Sequence, residues 1–302
     1  IASQKIHEEF GGVVPEWASG KHQKNILPTV HLALKKANLK LQDINAIACT
    51  QGPGLMGSLL VGHTFVKGLS MALNIPFVNV DHVDAHVLVH FIDGDIPPLP
   101  FLCLLVSGGH TQIVRVDAHF KMTVIGETID DAAGEAFDKV ARVLGLAYPG
   151  GPEIDRIARE GNPEFYHFPR GLTQHKDQEK HRYNFSFSGL KTAVARYVES
   201  ATARGDERDV PSIAASFQEA VADVLVTKSL QACADHNIPR LLLGGGVAAN
   251  SRVRGLALER CTEAGVELRV PPLSLCTDNG AMIAALGAQR MMAGYAPSAI
   301  TR

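Results

Sequence analysis

Short apolar runs rich in β-branched residues alternate with stretches whose apolar positions recur at helical spacing, the pattern of an α/β chain with parallel strands. Ile44 to Thr50 reads as a strand that runs into Gln51-Gly-Pro-Gly-Leu-Met-Gly57 and then a small-residue helix carrying Leu59, Val61, Phe65, Val66 and Leu69. Pro76 to Val80 reads as the next strand and delivers the chain to a helix holding His82 and His86. After the Pro-Pro-Leu-Pro punctuation at 97–100, Phe101 to Val106 is a strand ending at Ser107-Gly108-Gly109-His110, and Thr111 to Val116 returns beside it as a hairpin. Arg240 to Leu243 is a further strand, running into Gly244-Gly245-Gly246 and a helix that includes Asn250. This strand, glycine turn and helix echo the unit at 44–69, which points to two related lobes. The first lobe is expected over 1–98, completed by 275–302, and the second over 99–274.

Composition narrows the class. A chain of 302 residues, 46% hydrophobic and 20% charged, can bury a large core and suits two lobes better than one. Lys+Arg 29 against Asp+Glu 31 leaves a net charge of −2, so no global basic field announces a nucleic acid, and any RNA contact must rest on local patches. The five cysteines are odd in number and contain no C-x-x-C pair, which argues against a disulfide framework and a thiol zinc site and favours the reducing cytoplasm. No apolar run approaches the roughly 20 residues of a membrane span, and no signal-peptide pattern opens the chain. The chain begins at Ile1 without a methionine, so a lost N-terminal segment is expected.

Candidate chemistry sits at the glycine turns and at a histidine pair. Three glycine turns directly follow apolar strands, where α/β sheets place their ligands. Glycine lets backbone N–H groups approach an anion and a following helix adds its dipole, so the repetition reads as a phosphate cradle, although none is a Walker loop or a G-x-G-x-x-G fingerprint. His82 and His86 stand one helical turn apart, and Asp278, in the turn Cys276-Thr-Asp-Asn-Gly-Ala281, can add a carboxylate. Two imidazoles and a carboxylate leave open coordination positions, as a metal that handles substrate requires. Chance pairs are common in a chain with 13 histidines, and His90, one turn on, is a rival ligand. Asp131, Glu135 and Asp138 fall on one helix face beside Ala132, Ala133 and Gly134, and Asp138 can accept from a ribose or an amine. Asp155 is expected in the first turn of a helix begun by Pro149-Gly-Gly-Pro152, and Asn250 either contacts a ribose or base or caps a turn. The charged run 174–182 reads as an exposed loop.

Nine blocks in order carry a close resemblance to one family: Gly11-Gly-Val-Val-Pro-Glu16, Gln51-Gly-Pro-Gly-Leu55, His82-x-x-x-His86, Leu105-Val-Ser-Gly-Gly-His110, Asp130-Asp-Ala-Ala-Gly-Glu-Ala-Phe-Asp-Lys139, Tyr148-Pro-Gly-Gly-Pro152, Phe185-Ser-Phe-Ser-Gly-Leu-Lys191, Gly244-Gly-Gly-Val-Ala-Ala-Asn250 and Cys276-Thr-Asp-Asn-Gly-Ala281. They resemble the signature blocks of the universal tRNA N6-adenosine threonylcarbamoyltransferases. The resemblance implies the actin/Hsp70/sugar-kinase fold, two lobes each built on a ribonuclease-H-like sheet, with nucleotide in the interlobe cleft. It implies that His82, His86 and Asp278 ligate one divalent metal per subunit, iron(II) ahead of zinc(II). It implies that Leu105, Val106, Ser107, Gly108, Gly109, Asp138, Gly151, Asp155 and Asn250 line the adenylate site.

The implied reaction moves a threonylcarbamoyl group from threonylcarbamoyl-adenylate to N6 of adenosine 37 in tRNAs reading ANN codons and releases AMP. Implied partners are tRNA, a smaller paralogous subunit and an ATPase subunit, with no membrane. The family's opening strands with an E-T-S-C-D-E-T block and its C-terminal tail are missing here, so a first sheet short of strands is expected. No general base stands out; His110 qualifies only by lying beside the Ser-Gly-Gly turn. Lys139, Arg142, Lys180, Arg182 and Lys191 are candidates for tRNA contact. The helix after Gly57 has more apolar positions than one buried stripe needs, and Val61 and Phe65 are candidates for docking a partner. The rivals are an ATPase or kinase of the same fold, a non-enzymatic scaffold, and a metalloprotease. The last would need a glutamate where Val83 stands.

Overall fold

The computed structural model describes residues 14–92, 96–117, 121–206 and 208–298, which leaves Gly11, Gly12 and Val13 of the first block outside the described residues. The chain divides into two compact units, 1–95 with 279–302, and 96–278. Cys276, Thr277 and Asp278 thus end the second unit, where the sequence had grouped them with the first.

The first unit opens with α1 (Pro15–Ala37), a helix the apolar pattern does not announce. Pro15 suits its first turn, where an N–H has no partner to lose, and Asn38 ends it in the left-handed region at φ 53°, returning its N–H to Leu34 and Lys35. β1 (Ile47–Gly52) and β2 (Phe77–Asp81) pair in parallel, Ile47 opposite Phe77 and Thr50 opposite Val80, with α2 (Met56–Leu73) as the crossover. β1 starts later than Ile44 because Leu41–Asp43 wind into a 3-10 turn that ends at Ile44. Cys49, Val66 and Phe77 bury together between strands and helix, and Phe65 packs against them. These two strands form the sheet of this unit among the described residues, fewer than a ribonuclease-H-like sheet has.

β2 passes directly into α3 (His82–Val87), whose N-cap Asp81 accepts from the N–H groups of Val83 at 2.8 Å and Asp84 at 3.1 Å. The helix stops at Val87, and His90 falls in a separate 3-10 turn, Val89–Phe91, so it does not continue the face of His82 and His86. Val87, Leu88, Val89 and Phe91 are all buried, a run that no single helical stripe could bury.

The second unit is built on a five-stranded sheet. β3 (Phe101–Val106) and β4 (Thr111–Val116) form the expected hairpin, and β5 (Met122–Glu127) extends it. The chain then forms α4 (Ala133–Val143), α5 (Gly150–Ala158), α6 (Ser188–Arg204) and α7 (Val210–Asp235) before β6 (Arg240–Gly244). α8 (Ser251–Ala264), β7 (Glu267–Arg269) and the single turn α9 (Leu273–Cys276) complete it. The strand order is β5-β4-β3-β6-β7, with β3, β4 and β5 antiparallel and β6 and β7 parallel to β3. This is the ribonuclease-H-like order expected of a lobe. All six residues of β3 are buried, and Leu102, Leu104 and Val106 alternate onto the face that meets the helices. There Phe137 of α4 and Phe217 of α7 meet edge to face with centroids 5.2 Å apart.

The chain returns to the first unit with α10 (Gly280–Met292), capped by Asn279, whose side chain accepts the Met282 N–H at 2.9 Å. α10 packs on β1, β2 and α3. Gly287 makes this possible: a Cβ there would lie 2.5 Å from the Ala48 Cβ of β1. Among the described residues no helix is long and apolar enough to cross a membrane.

Candidate functional site

β3 and β6 run in parallel, and each ends in a glycine turn. Gly245 is held at φ 85°, against the Val106 carbonyl, a conformation and a closeness that a side chain would forbid. Gly134, in the first turn of α4, lies equally close to Ser107 and Gly108, where an added Cβ would fall 2.6 Å from the Ser107 oxygen. Beyond these turns a cavity of about 510 Å³ opens within the second unit. That volume is in the range of sites for small ligands and cofactors. Gly108, Gly134, Gly151 and Gly246 line it, with the first turns of α4 and α5 and the 3-10 turn Gly246–Ala249 before α8. Backbone N–H groups at helix starts favour an anion, and Arg156 and Arg159 stand at the same wall.

Five of the nine residues expected at the adenylate line this cavity: Gly108, Asp138, Gly151, Asp155 and Asn250. Leu105 and Val106 are buried within β3, Ser107 is half-buried and Gly109 exposed. Ser107 is used locally: its N–H donates to the His110 carbonyl at 2.7 Å, and its Oγ accepts the His110 N–H at 3.1 Å.

The acidic residues have more specific places than spacing implied. Asp131 precedes α4 rather than lying on it, and Lys139 bridges it to Glu135 at 2.6 and 2.7 Å. Asp138 faces α5 and accepts the Gly150 N–H at 2.7 Å. Burial pushes its carboxyl upward, a shift opposed by the N–H groups of Gly150 and Gly151 and by Arg142. Asp155 lies in the second turn of α5, not the first, because the helix already begins at Gly150. Its Oδ1 accepts from the Ser251 N–H at 3.0 Å and hydroxyl at 2.6 Å, and its Oδ2 accepts from Arg159 at 3.1 Å.

Asn250 is the N-cap of α8, one position before the helix that was expected to include it. Its Oδ1 accepts from the N–H groups of Arg252 and Val253, both at 3.1 Å, while its Nδ2 donates to Gln218 Oε1 at 2.7 Å. Sequence reasoning missed Gln218; nothing in a 26-residue apolar helix marks one buried amide in advance.

The histidine pair lies in the first unit. His82 and His86 face each other edge to face with ring centroids 4.8 Å apart, His86 buried and His82 half-buried. Asp278 is joined to Asn279, the cap of α10, and follows Thr277, which lines the cavity. Of the basic candidates, Lys139 is engaged as above, and Arg182 pairs with Asp235 at 2.6 Å.

Two α/β units, one on a ribonuclease-H-like sheet with glycine turns at the carboxyl ends of its parallel strands, define a protein of the actin/Hsp70/sugar-kinase class. Two solved structures share the fold: full-length HypF in a phosphate- and nucleotide-bound form (TM-score 0.63, 14% identity, 90% of this chain and 42% of that one) and T. kodakarensis HypF (TM-score 0.61, 14% identity, 85% and 41%). At that identity the likeness concerns the fold alone, and the chain spans about two fifths of the HypF length. The family described as TsaD, tRNA N6-adenosine threonylcarbamoyltransferase, matches residues 1–285. A relative with that name from Corynebacterium diphtheriae is 52% identical over 302 residues, covering 99% of this chain and 85% of its own length. The chain belongs to the tRNA N6-adenosine threonylcarbamoyltransferase family, and its activity is acyl transfer in tRNA modification.

Proposed function

We propose that the chain transfers the threonylcarbamoyl group of threonylcarbamoyl-adenylate to N6 of adenosine 37 in tRNAs reading ANN codons, with the adenylate seated in the second-unit cavity. His82, His86 and Asp278 hold a divalent metal, iron(II) in preference to zinc(II). One observation carries the reading: Thr277 lines the cavity, Asp278 follows it, and Asn279 then caps the helix that packs on the histidine helix α3. The three residues are consecutive in the chain, Thr277 and Asp278 closing the second unit and Asn279 opening the return to the first. The donor set fits the ion, since two imidazoles and one carboxylate suit iron or zinc with positions left open.

The reaction forms a bond between the adenosine N6 and the carbamoyl carbon, breaks the bond from that carbon to the phosphate oxygen, and leaves AMP together with the proton lost from N6. When bound, the ion supplies Lewis acidity toward the carbamoyl and phosphate oxygens. The chain's own residues do the rest. Gly108, Gly151 and Gly246 keep backbone uncovered, so that N–H groups can meet the leaving phosphate without a side chain in the way, while Gly134 donates its N–H to the Ser107 carbonyl and holds that turn against α4. Arg156 and Arg159 line the same wall, paired with Glu153 and Asp155, and can turn their remaining N–H donors to the phosphate. Asp138 accepts from a ribose hydroxyl, and burial raises its carboxyl above the ordinary value. An exocyclic adenine amine is a poor nucleophile, so holding it against the carbamoyl carbon supplies much of the rate.

The smaller paralogous subunit docks on α2. Met56, Leu60 and Met71 are 79%, 63% and 66% exposed and share one face of this helix, whereas Val66 is buried and Phe65 packs into the core. An ATPase subunit completes the complex. A cytoplasmic location goes with the tRNA substrate and with five free, buried cysteines.

The decisive experiment is AMP release from threonylcarbamoyl-adenylate with and without tRNA, in the presence of the partner subunits. Release that depends on tRNA and matches its modification supports the transferase reading. Equal release without tRNA marks a hydrolase, and none marks a scaffold.

A further inference from the structure

We infer that Gln218 is a positioning residue for the nucleotide, acting through Asn250 and fixing it as a hydrogen-bond donor toward the ligand. Gln218 lies on α7 and is 5% exposed, and its Oε1 accepts from Asn250 Nδ2 at 2.7 Å, a bond buried between two helices. Asn250 Oδ1 is committed at the other end, to the N–H groups of Arg252 and Val253. The amide therefore has one orientation. Turning it over would set its NH₂ against two N–H donors and its oxygen against the Gln218 oxygen, which costs three hydrogen bonds.

An amide has two donor hydrogens and one acceptor oxygen. With the oxygen on the helix cap and one hydrogen on Gln218, what Asn250 can offer the cavity it lines is the remaining Nδ2–H. The group it recognises must accept: a ribose or phosphate oxygen, or an unprotonated adenine ring nitrogen. Without Gln218, the cap alone would hold the oxygen, and the NH₂ plane could tilt about the Cβ–Cγ bond. Gln218 also lines a second, smaller cavity of about 210 Å³ with Ser251 and Arg252.

The inference rests on reading the larger cavity as the adenylate site, and the test separates the two. AMP affinity is measured by calorimetry on the full chain for Asn250→Ala, Gln218→Met and the double variant, and steady-state kinetics with threonylcarbamoyl-adenylate are run in the assembled complex. Methionine matches glutamine in volume and removes the acceptor. Gln218→Met is expected to weaken AMP roughly five- to tenfold, the loss of about one hydrogen bond. The kinetic loss should fall on KM while kcat holds. In the Asn250→Ala background the same substitution should change AMP affinity less than twofold, because Gln218 acts only through Asn250. Equal losses in both backgrounds, or none in the first, would overturn the inference. Unchanged affinity in Asn250→Ala would instead overturn the cavity reading. Should Gln218→Met not fold, Gln218→Leu, which also removes the acceptor, carries the test with the same expectations alone and in the Asn250→Ala background.

Discussion

The Arg290 guanidinium donates to the Asp84 carboxylate at 2.9 Å and to the Asn79 carbonyl at 3.2 Å. Asp84 sits between His82 and His86 on α3, and Arg290 lies in the last turn of α10, the helix that starts just after Asp278. One side chain therefore fixes the histidine helix against the helix that anchors the third proposed ligand. His86→Ala is expected to lose most of its bound metal, and Arg290→Met to lose part of it at limiting metal. Elemental analysis of the purified variants reads both. Full occupancy in His86→Ala would exclude the site, and His90→Ala, whose histidine lies off that helix, should retain its metal.

Asp138 combines a binding role with a cost in stability. Burial raises its folded carboxyl above the ordinary value, so the folded state disfavours the charged form, and the group's contribution falls as pH rises from the ordinary value through the raised one. Asp138→Asn keeps an oxygen for the Gly150 N–H and removes the charge. It should be at least as stable as the wild type at neutral pH and should lack that acid-side dependence, while binding AMP about tenfold more weakly. Thermal melts across pH 3 to 7 and calorimetry check the two halves; weaker stability with intact binding would refute both.

Lys228 is buried on α7, where its ammonium donates to the carbonyls of His181 and Arg182, both at 3.0 Å. Burial lowers it from 10.5 to about 8. A lysine lowered on folding penalises the folded state below its folded value, and the penalty is relieved as pH rises from about 8 to about 10.5. The stability of the wild type relative to Lys228→Met should therefore increase over that window, by on the order of 1–3 kcal/mol. The variant should also expose the 174–183 segment, which Lys228 holds, to faster proteolysis. A pH-independent gap between the two melting curves would rule out the charged lysine as the cause.

Leu60→Glu and Met71→Glu place charge on the exposed face of α2 and should abolish association with the smaller subunit on size-exclusion chromatography, leaving AMP binding unchanged. Phe65→Glu differs in kind, because Phe65 packs against the buried trio of Cys49, Val66 and Phe77. It should lower the melting temperature first. If the Leu60 and Met71 variants still form the complex, this face is not the interface.

The sequence made legible those elements whose signals are local. Apolar strands ended by glycine turns located β1, β3 and β6 to within a few residues, and helical spacing placed His82 and His86 on one short helix. What it concealed is cooperative. α7 is buried over 17 of its residues, so it shows no amphipathic stripe, and α1 carries Pro28 within it, which reads as a break. β5 is a sheet edge whose burial does not alternate. At the cavity, the small residues beside them could name Asp138 and Asn250, and the family resemblance added Asp155, but not their bonds to Gly150, Gln218 and Ser251, because each of these joins separate elements of the fold.

The buried cysteines have a practical consequence. Burial drives the thiols of Cys103 and Cys233 up to about 12 and those of Cys49 and Cys261 to about 11, and it raises Cys276 as well. At neutral pH none offers an appreciable thiolate to an alkylating reagent while the fold is closed. Cys49 lies in the first unit and Cys103, Cys233, Cys261 and Cys276 in the second. Pulsed alkylation read by mass spectrometry would therefore time the opening of each unit in the unmodified chain, with no label introduced, and show whether AMP slows one unit alone.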